Sequence, residues 1–407
     1  MSIIDDLCND KKWDEFLSKR KSGKNPTTLS EFIENREYRS IVEAIRDGTY
    51  VFGNAKKIEI PKPSSDKKRI IYTFKRKDDQ AEHMVIRMFS YLLSNEYDSL
   101  LSDNLYSFRL KGGVQKAIAR MRSLGNIGTK YCYKVDITEY FNSIPADKMN
   151  RTLEKSRIAK DARSVIKGIL SNPMVSYMGE DVEDTSKGIM PGLPFATFLS
   201  NLYLNGMDQY FHEKKVQYYR FADDILVMAD SQKELNRHVG YIRTYIKKRG
   251  LSINPDKEMF YEPGKRIEFL GLYIENDIFD LNKKALDRAL RSVKVFGRHY
   301  RKKVELKEKT VDDAIHCFLV KMDHKFFGWE KNSKSCWWHW YGPLLNTDRS
   351  MKIIDRSIQD WMRYIITGKH TKGNLYRIPY KKLKDMGYWT LVNRKYKSNP
   401  DNRQSQG

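Results

Sequence analysis

The sequence is short of cysteine: Cys8, Cys132, Cys317 and Cys336 are scattered through 407 residues, and no two stand at zinc-ligand or redox spacing. A disulfide scaffold and a cysteine-based zinc module are therefore excluded, and four reduced thiols are expected. Long apolar runs are absent as well, so no bilayer span is expected. The opening Met1-Ser2-Ile3-Ile4-Asp5-Asp6 has neither the basic nor the apolar region of a secretory leader. A cytoplasmic protein with no membrane partner is the expectation. There is no internal repeat, no low-complexity stretch and no G-x-x-x-x-G-K-[ST] loop, which argues against a P-loop motor.

Negative charge is the other scarcity. Asp and Glu number 52 against 75 Lys and Arg, leaving a net charge of +23. Such an excess points to a polyanionic partner, nucleic acid before an anionic membrane surface, with a solvated lysine-rich surface as the plain alternative. It is unevenly spread: from Lys283 onward there are 29 basic and 12 acidic residues, +17 of the total. The length allows two or three domains, or one large multi-lobed one.

One adjacent acidic pair stands between apolar, β-prone runs. Tyr218-Tyr219-Arg220-Phe221-Ala222-Asp223-Asp224-Ile225-Leu226-Val227-Met228 reads as two β-prone runs with a carboxylate pair at the turn. Asp is common in turns. Half-buried carboxylates, however, need neutralising, and a divalent metal does that well. Upstream, Tyr131-Cys132-Tyr133-Lys134-Val135-Asp136-Ile137 is a strand ending in an acid, either a cap or a third metal carboxylate, with Tyr140 and Phe141 just beyond it. Between the two lies Lys187-Gly188-Ile189-Met190-Pro191-Gly192-Leu193-Pro194, a Gly/Pro loop entering an apolar helix. Three carboxylates in this order suit two-metal nucleotidyl transfer.

The flanking chain reads as follows. Residues 1–50 are helical, with Ser30 capping one helix through Phe32, Tyr38, Ile41 and Ile45 to Gly48. Residues 56–63 and 67–74 form a basic hairpin whose Lys62 and Arg69 either meet phosphates or are merely solvated. A helix follows from Asp78 to about Ser94; Gly112-Gly113, before a helix from Val114 to Met121, permit close backbone approach of a partner. Ser231-Gln232-Lys233-Glu234 is a capping box opening a helix to Arg249. Leu251–Lys257 is a short strand and turn, and Ile267–Ile274 is one strand. Helices are expected at 282–303, 310–327 and 349–367, then a short one closed by Gly387. Most tryptophans of this basic region are expected in its core and most cations facing nucleic acid.

The order of these motifs over residues 55–275 resembles the reverse transcriptase family, in its bacterial, group II intron-like branch. Pro61-Lys62-Pro63 to Arg69-Ile70-Ile71 is similar to the first fingers motif, and Ser107-Phe108-Arg109 with Gly112 to the second. Val135-Asp136-Ile137 to Phe141, Gly188 to Tyr203, Phe221-Ala222-Asp223-Asp224, Asn254–Lys257 and Phe269-Leu270-Gly271 resemble the palm motifs and primer grip. The resemblance implies an α+β right-hand polymerase: an N-terminal helical extension (1–54), fingers (55–130), a palm with an antiparallel sheet packed on helices (131–280, with 171–190 partly an insertion), and an α-helical thumb and C-terminal segment (281–407). It implies two Mg2+ ions, Mn2+ being an alternative, held by Asp136, Ile137, Asp223 and Asp224. Lys62, Arg69, Tyr140, Phe141, Gly192 and Lys257 would meet the dNTP, with Tyr140 excluding the ribose 2′-hydroxyl. Arg109, Gly112, Phe221, Ala222, Phe269, Leu270 and Gly271 would meet primer and template.

Two departures stand out. Met190-Pro191-Gly192 replaces Pro-Gln-Gly, which removes a glutamine near the templating pair, and Phe221 replaces the commoner tyrosine. The stretch beyond 280 is too short for a thumb plus DNA-binding and endonuclease domains, so a mobile intron protein is not expected. Tyr380 to Val392 is similar to C-terminal segments of defence-associated reverse transcriptases. That implies a structured noncoding RNA as template or scaffold, a DNA product, and a homo-oligomer or a second protein of the same locus as partner. The leading expectation is an RNA-directed DNA polymerase in antiphage defence. Template-independent or protein-primed synthesis is the alternative, and a non-catalytic RNA-binding scaffold the reading of another class.

Overall fold

The computed structural model describes residues 2–19, 26–61, 68–75, 80–110, 112–328 and 336–398. They carry eleven strands: β1 Ala55–Pro61, β2 Lys68–Thr73, β3 Tyr131–Asp136, β4 Met174–Tyr177, β5 Glu180–Glu183, β6 Gln217–Phe221, β7 Asp224–Ala229, β8 Met259–Tyr261, β9 Ile267–Phe269, β10 Leu272–Glu275 and β11 Ile278–Leu281. The chain divides into two compact units, one of residues 1–117 and 131–260, the other of residues 118–130 and 261–407.

The first unit holds two four-stranded sheets. One runs β2-β1-β4-β5; β1 and β2 form the expected hairpin, and β4 joins β1 in parallel through Ala55↔Val175 and Lys56↔Ser176. Its underside is tied by Asp184, which accepts from Lys57 Nζ at 2.7 Å, Tyr72 Oη at 2.8 Å and Ser186 Oγ at 2.7 Å. The other sheet runs β6-β7-β3-β8, with β7 antiparallel to both β6 and β3. Its strands are rich in β-branched and aromatic residues, and Tyr133, Val135, Tyr218, Ile225 and Val227 are fully buried. Helices Ala81–Tyr97, Ala196–Glu213 and Gln232–Lys248 contribute Met88, Phe89, Leu199, Leu204, Met207 and Ile242 to the same core. Ser231 Oγ accepts from Glu234 N at 3.3 Å, so the capping box opens the last of these helices. Residues 26–46 form two helices, Pro26–Glu34 and Arg39–Arg46, instead of one, because Arg36 takes φ +55°.

In the second unit β9, β10 and β11 form a meander. Ile267–Ile274 is therefore two strands: Leu270 and Gly271 both take positive φ, +51° and +83°, and turn the chain back as a primed two-residue hairpin loop does. Helices Lys283–Glu305, Val311–Phe327 and Arg349–Thr367 follow, the first two capped by Asn282 and Thr310. Among the described tryptophans of this region Trp337 is buried, Trp338 and Trp361 are half-buried and Trp340 and Trp389 exposed, so fewer of these enter the core than expected; Trp329 lies outside the described residues. Asp355 accepts from Tyr388 Oη and Leu391 N, each at 2.8 Å, and so seats the C-terminal helix Leu391–Ser398. Among the described residues no helix is long and apolar enough to cross a membrane.

Candidate active site

Between β6 and β7 only Ala222 and Asp223 make the turn, with Phe221 opposite Asp224. Ala222 takes φ +57°, a conformation that costs a residue with a Cβ roughly 1–2 kcal/mol. Both of its backbone polar groups are held by side chains: Ser107 Oγ accepts from Ala222 N at 2.8 Å, and Arg220 Nη1 donates to Ala222 O at 3.1 Å. Arg220 is fully buried and forks onto Asp208, Nε to Oδ1 at 2.8 Å and Nη2 to Oδ2 at 2.5 Å. Burial alone would lower the pKa of this guanidinium, but Asp208 outweighs it and raises it. Tyr218 Oη donates to Asp208 Oδ1 at 2.9 Å, and the Asn201 amide donates to Ser107 O at 2.8 Å. Sequence reasoning assigned no role to this network. Its signal was two misplaced charges, Arg220 inside an aromatic strand and Asp208 inside an apolar helix, since an unpaired buried charge is not tolerated.

The carboxylates converge on this turn. Asp136 lies opposite Asp224 across β3 and β7, and Ile137 N donates to Asp223 O at 3.2 Å. Beyond β3, Thr138 N donates to Ser252 O and Asn254 N to Asp136 O, each at 2.9 Å. That stitching, with a one-turn 3-10 helix at Pro255–Lys257, brings Lys257 Nζ to 2.8 Å from Asp136 Oδ2. Burial raises the pKa of Asp223, and Asp136 raises it further; Lys257 and the exposed Arg69 act in the opposite sense. Asp224 is pushed up to about 7 by burial first, although the Lys134 ammonium lies 3.5 Å from Oδ1. That Oδ1 is buried without a hydrogen-bond partner. Burial works against the Lys257 ammonium, but Asp136, Asp223 and Asp224 outweigh it.

This crowding of acids suits a divalent cation. Among the described residues no three His, Cys, Asp or Glu side chains are grouped so as to hold a metal ion by themselves. Magnesium is ordinarily held by one or two carboxylates together with substrate phosphates, and the Asp136 and Asp223 pair fits that donor set. The Ile137 side chain, buried in the core, is a hydrocarbon without a donor atom, so its backbone carbonyl is the one group it could offer a metal.

The remaining expected residues fall into place unevenly. Tyr140 does not face a substrate: it is 3% exposed, and its hydroxyl donates to Ser200 O at 2.5 Å. Its neighbour Phe141 is half-buried, with its ring against that of Phe108. Phe141 O accepts from Ile189 N at 3.1 Å, and a Cβ on Gly188 would come within 2.3 Å of the same carbonyl. The Gly/Pro loop thus lies directly on the backbone of Phe141. Gly192, at φ +105°, has no room for a Cβ beside Tyr72 O, and Pro191 O accepts from Tyr72 N at 2.7 Å, which ties the loop to β2. Arg109 does not offer its charge outward, for its guanidinium is spent on Asp98 Oδ1 and Oδ2 and on the carbonyls of Asp98 and Ser102. The close approach made by Gly112 is to Tyr106 O and Arg109 Cβ of its own loop. Phe221 is half-buried and tilted against Phe108. Phe269, Leu270 and Gly271 belong to the second unit, at the β9–β10 turn. Lys62 lies outside the described residues.

Comparison with solved structures finds several polymerases. A telomerase from Candida albicans in complex with a TWJ fragment of telomeric RNA matches at 13% identity and TM-score 0.44, over 90% of this chain and 69% of that one. An apo telomerase from Candida tropicalis matches at 12% identity and TM-score 0.44, over 82% and 68%. A BmCPV RNA-dependent RNA polymerase at elongation state matches at 12% identity and TM-score 0.43, over 70% of this chain but only 29% of that one. No curated protein matches. Residues 60–274, more than half of the chain and the whole span of the carboxylates, match the model of the reverse transcriptase (RNA-dependent DNA polymerase) family, and the chain belongs to that family.

Proposed function

We propose that this reverse transcriptase adds dNTPs to a primer at the Asp136–Asp223 pair, in a palm formed by β6-β7-β3-β8 and under fingers formed by β1, β2, β4 and β5. The observation that carries the proposal is the convergence of Asp136, Asp223 and Asp224 on one clamped turn with the Lys257 ammonium among them. Asp136 and Asp223 would hold two Mg2+ ions, with Mn2+ as the alternative. A bound divalent ion lowers the pKa of the primer 3′-hydroxyl and neutralises triphosphate charge. Arg69 and Lys257 would bring positive charge to the triphosphate, and Lys257, paired with Asp136 in the free site, would give a proton to departing pyrophosphate. Phe141, fixed by the Gly188–Gly192 loop, is the ring that packs against the deoxyribose.

The test is extension of a DNA primer on an RNA template by the purified chain with Mg2+ and dNTPs. Synthesis by the wild type, and none by Asp136→Asn or Asp223→Asn, is the expected result. Full synthesis by either variant would defeat the site assignment. The narrower reading, a dedicated noncoding RNA copied in antiphage defence, is supported by the similarity of Tyr380 to Val392 to defence-associated enzymes. Its test is plaque formation on cells carrying the locus, with protection expected to disappear in Asp223→Asn. Template-independent or protein-primed synthesis gains support from Pro191, which supplies no side-chain amide and whose carbonyl is taken by Tyr72. Synthesis that survives nuclease treatment of the enzyme would favour that second reading.

A further inference from the structure

Three aromatic rings meet beside the carboxylates, and one of them has no assigned role. Phe108 lies between Phe141, centroids 6.4 Å apart at 77°, and Phe221, centroids 6.3 Å apart at 45°. It is 52% exposed, whereas the residues on either side are locked inside. Ser107 is fully buried, bonded to Ala222 N, to Asn201 Oδ1 and, through its carbonyl, to the Asn201 amide. Arg109 has a side chain only 8% exposed and is forked onto Asp98. Phe108 itself takes φ +52°, which is a genuine outlier for a bulky residue. A single exposed apolar side chain is ordinary on any surface. A strained one, held between two buried anchors and touching the rings that flank the acids, is a mounted ring. Strain that persists under such constraint concentrates at functional positions.

We propose that Phe108 is a base-stacking platform, a flat π-surface on which a nucleobase at the polymerase site rests. The proposal builds on the reading of Asp136 and Asp223 as the synthetic centre. The ligand chemistry is a nucleobase face, which the primer terminus, the templating position or the incoming nucleotide supplies. The sequence-level assignment gave the nucleic-acid contact to Arg109. The geometry transfers it to Phe108, because the Arg109 guanidinium is turned inward onto Asp98 and Ser102 with its side chain only 8% exposed, while a ring needs only its face.

The experiment uses the full chain with an RNA–DNA template–primer. One arm places 2-aminopurine at the primer 3′ end, a second places it at the templating position, and a third measures the dNTP KM. Phe108→Ala and Phe108→Gly are compared with Phe108→Trp and Phe108→Leu. The glycine variant removes the ring while relieving the positive φ, so the backbone strain relieved offsets part of the lost ring packing, and a thermal melt of each variant checks folding separately. The two ring-less variants are expected to weaken one arm about 5- to 150-fold, the span of base–aromatic stacking. Trp is expected to keep wild-type behaviour, and Leu, apolar but without a π-face, to lose it. The arm that changes identifies which base is stacked. If the wild type extends primers and no arm changes in Phe108→Gly, or if Leu replaces Phe fully, the proposal is overturned. A wild-type chain that neither binds nor extends the duplex overturns the polymerase reading, and this proposal with it.

Discussion

Tyr140 and Phe141 are adjacent aromatics with opposite environments, and that contrast yields the sharpest tests at the level of single residues. Tyr140→Phe removes a buried hydrogen bond and should cost about 1 kcal/mol of stability, seen as a lower denaturant midpoint, with ribonucleotide discrimination unchanged. Phe141→Ala should leave the fold intact and relax discrimination about 100-fold, read as the ratio of kcat/KM for dNTP and rNTP. Asp136→Asn and Asp223→Asn should each reduce synthesis at least ~1000-fold. In EDTA, the Tm of Asp223→Asn should equal or exceed that of the wild type, because a buried like-charge contact with Asp136 is removed. The aspartates were legible in the sequence because they interrupt apolar strands. The choice between Tyr140 and Phe141 was not. Both belong to a helix of one turn, Tyr140–Ser143, where neighbours point about 100° apart and only packing sets the phase. Arg109 was legible as a cation, but its partner Asp98 stands eleven residues earlier, and nothing local announces the pairing.

At the level of elements, the turn between β6 and β7 is held from outside its own hairpin. Ser107→Ala removes the acceptor for Ala222 N and should raise the Mg2+ concentration for half-maximal synthesis about 10-fold, as loss of an orienting outer contact does at metal sites. The dNTP KM measured at saturating Mg2+ should stay within about twofold, the split expected of a positioning residue rather than of a general loss of folding. In the β2-β1-β4-β5 sheet, burial raises the Asp184 carboxyl, but hydrogen bonds from Lys57, Ser186 and Tyr72 prevail and hold it at about 2. A depressed carboxyl pKa means that its stabilisation is complete above the ordinary carboxylate range and is lost as pH falls through about 2. Asp184→Asn should therefore destabilise the protein by about 3 kcal/mol at neutral pH and flatten the acid limb of the stability curve, measured by chemical denaturation. Elements with strong local signals were readable: the caps at Ser231, Asn282 and Thr310 open helices within a residue or two of their expected starts. The β9–β10 turn was not, because Leu270 carries no turn preference and its positive φ is imposed by strand pairing. Arg36 breaks the N-terminal helical run in the same unannounced way.

For the whole molecule, net charge is the leading quantity. A chain of +23 that engages a nucleic-acid backbone should lose affinity steeply with salt. With six to ten phosphates neutralised, the loss between 50 and 200 mM salt is about 10³- to 10⁵-fold, measurable by anisotropy with a labelled duplex. A loss below about tenfold would mean that the excess of Lys and Arg is mostly solvated. The charge itself was plain in the sequence, but which cations are committed to protein partners was not: Lys57, Lys134, Arg109 and Arg220 all face carboxylates.

The parallel pairing of β1 with β4 also sets a timetable for synthesis on the ribosome. Ala55 must wait for Val175, 120 residues later, which at ~5–20 residues per second is roughly 6 to 24 seconds. Through that interval the β1–β2 hairpin has its later partner's edge bare, the kind of edge that recruits neighbouring nascent chains. Lys56 and Lys57 stand on that strand, and charged lysines on an open edge disfavour such recruitment. When the β4–β5 hairpin arrives it brings Asp184 with it, and Lys57 exchanges solvent for an ion pair. One ammonium thus guards the nascent edge first and then fastens the finished sheet.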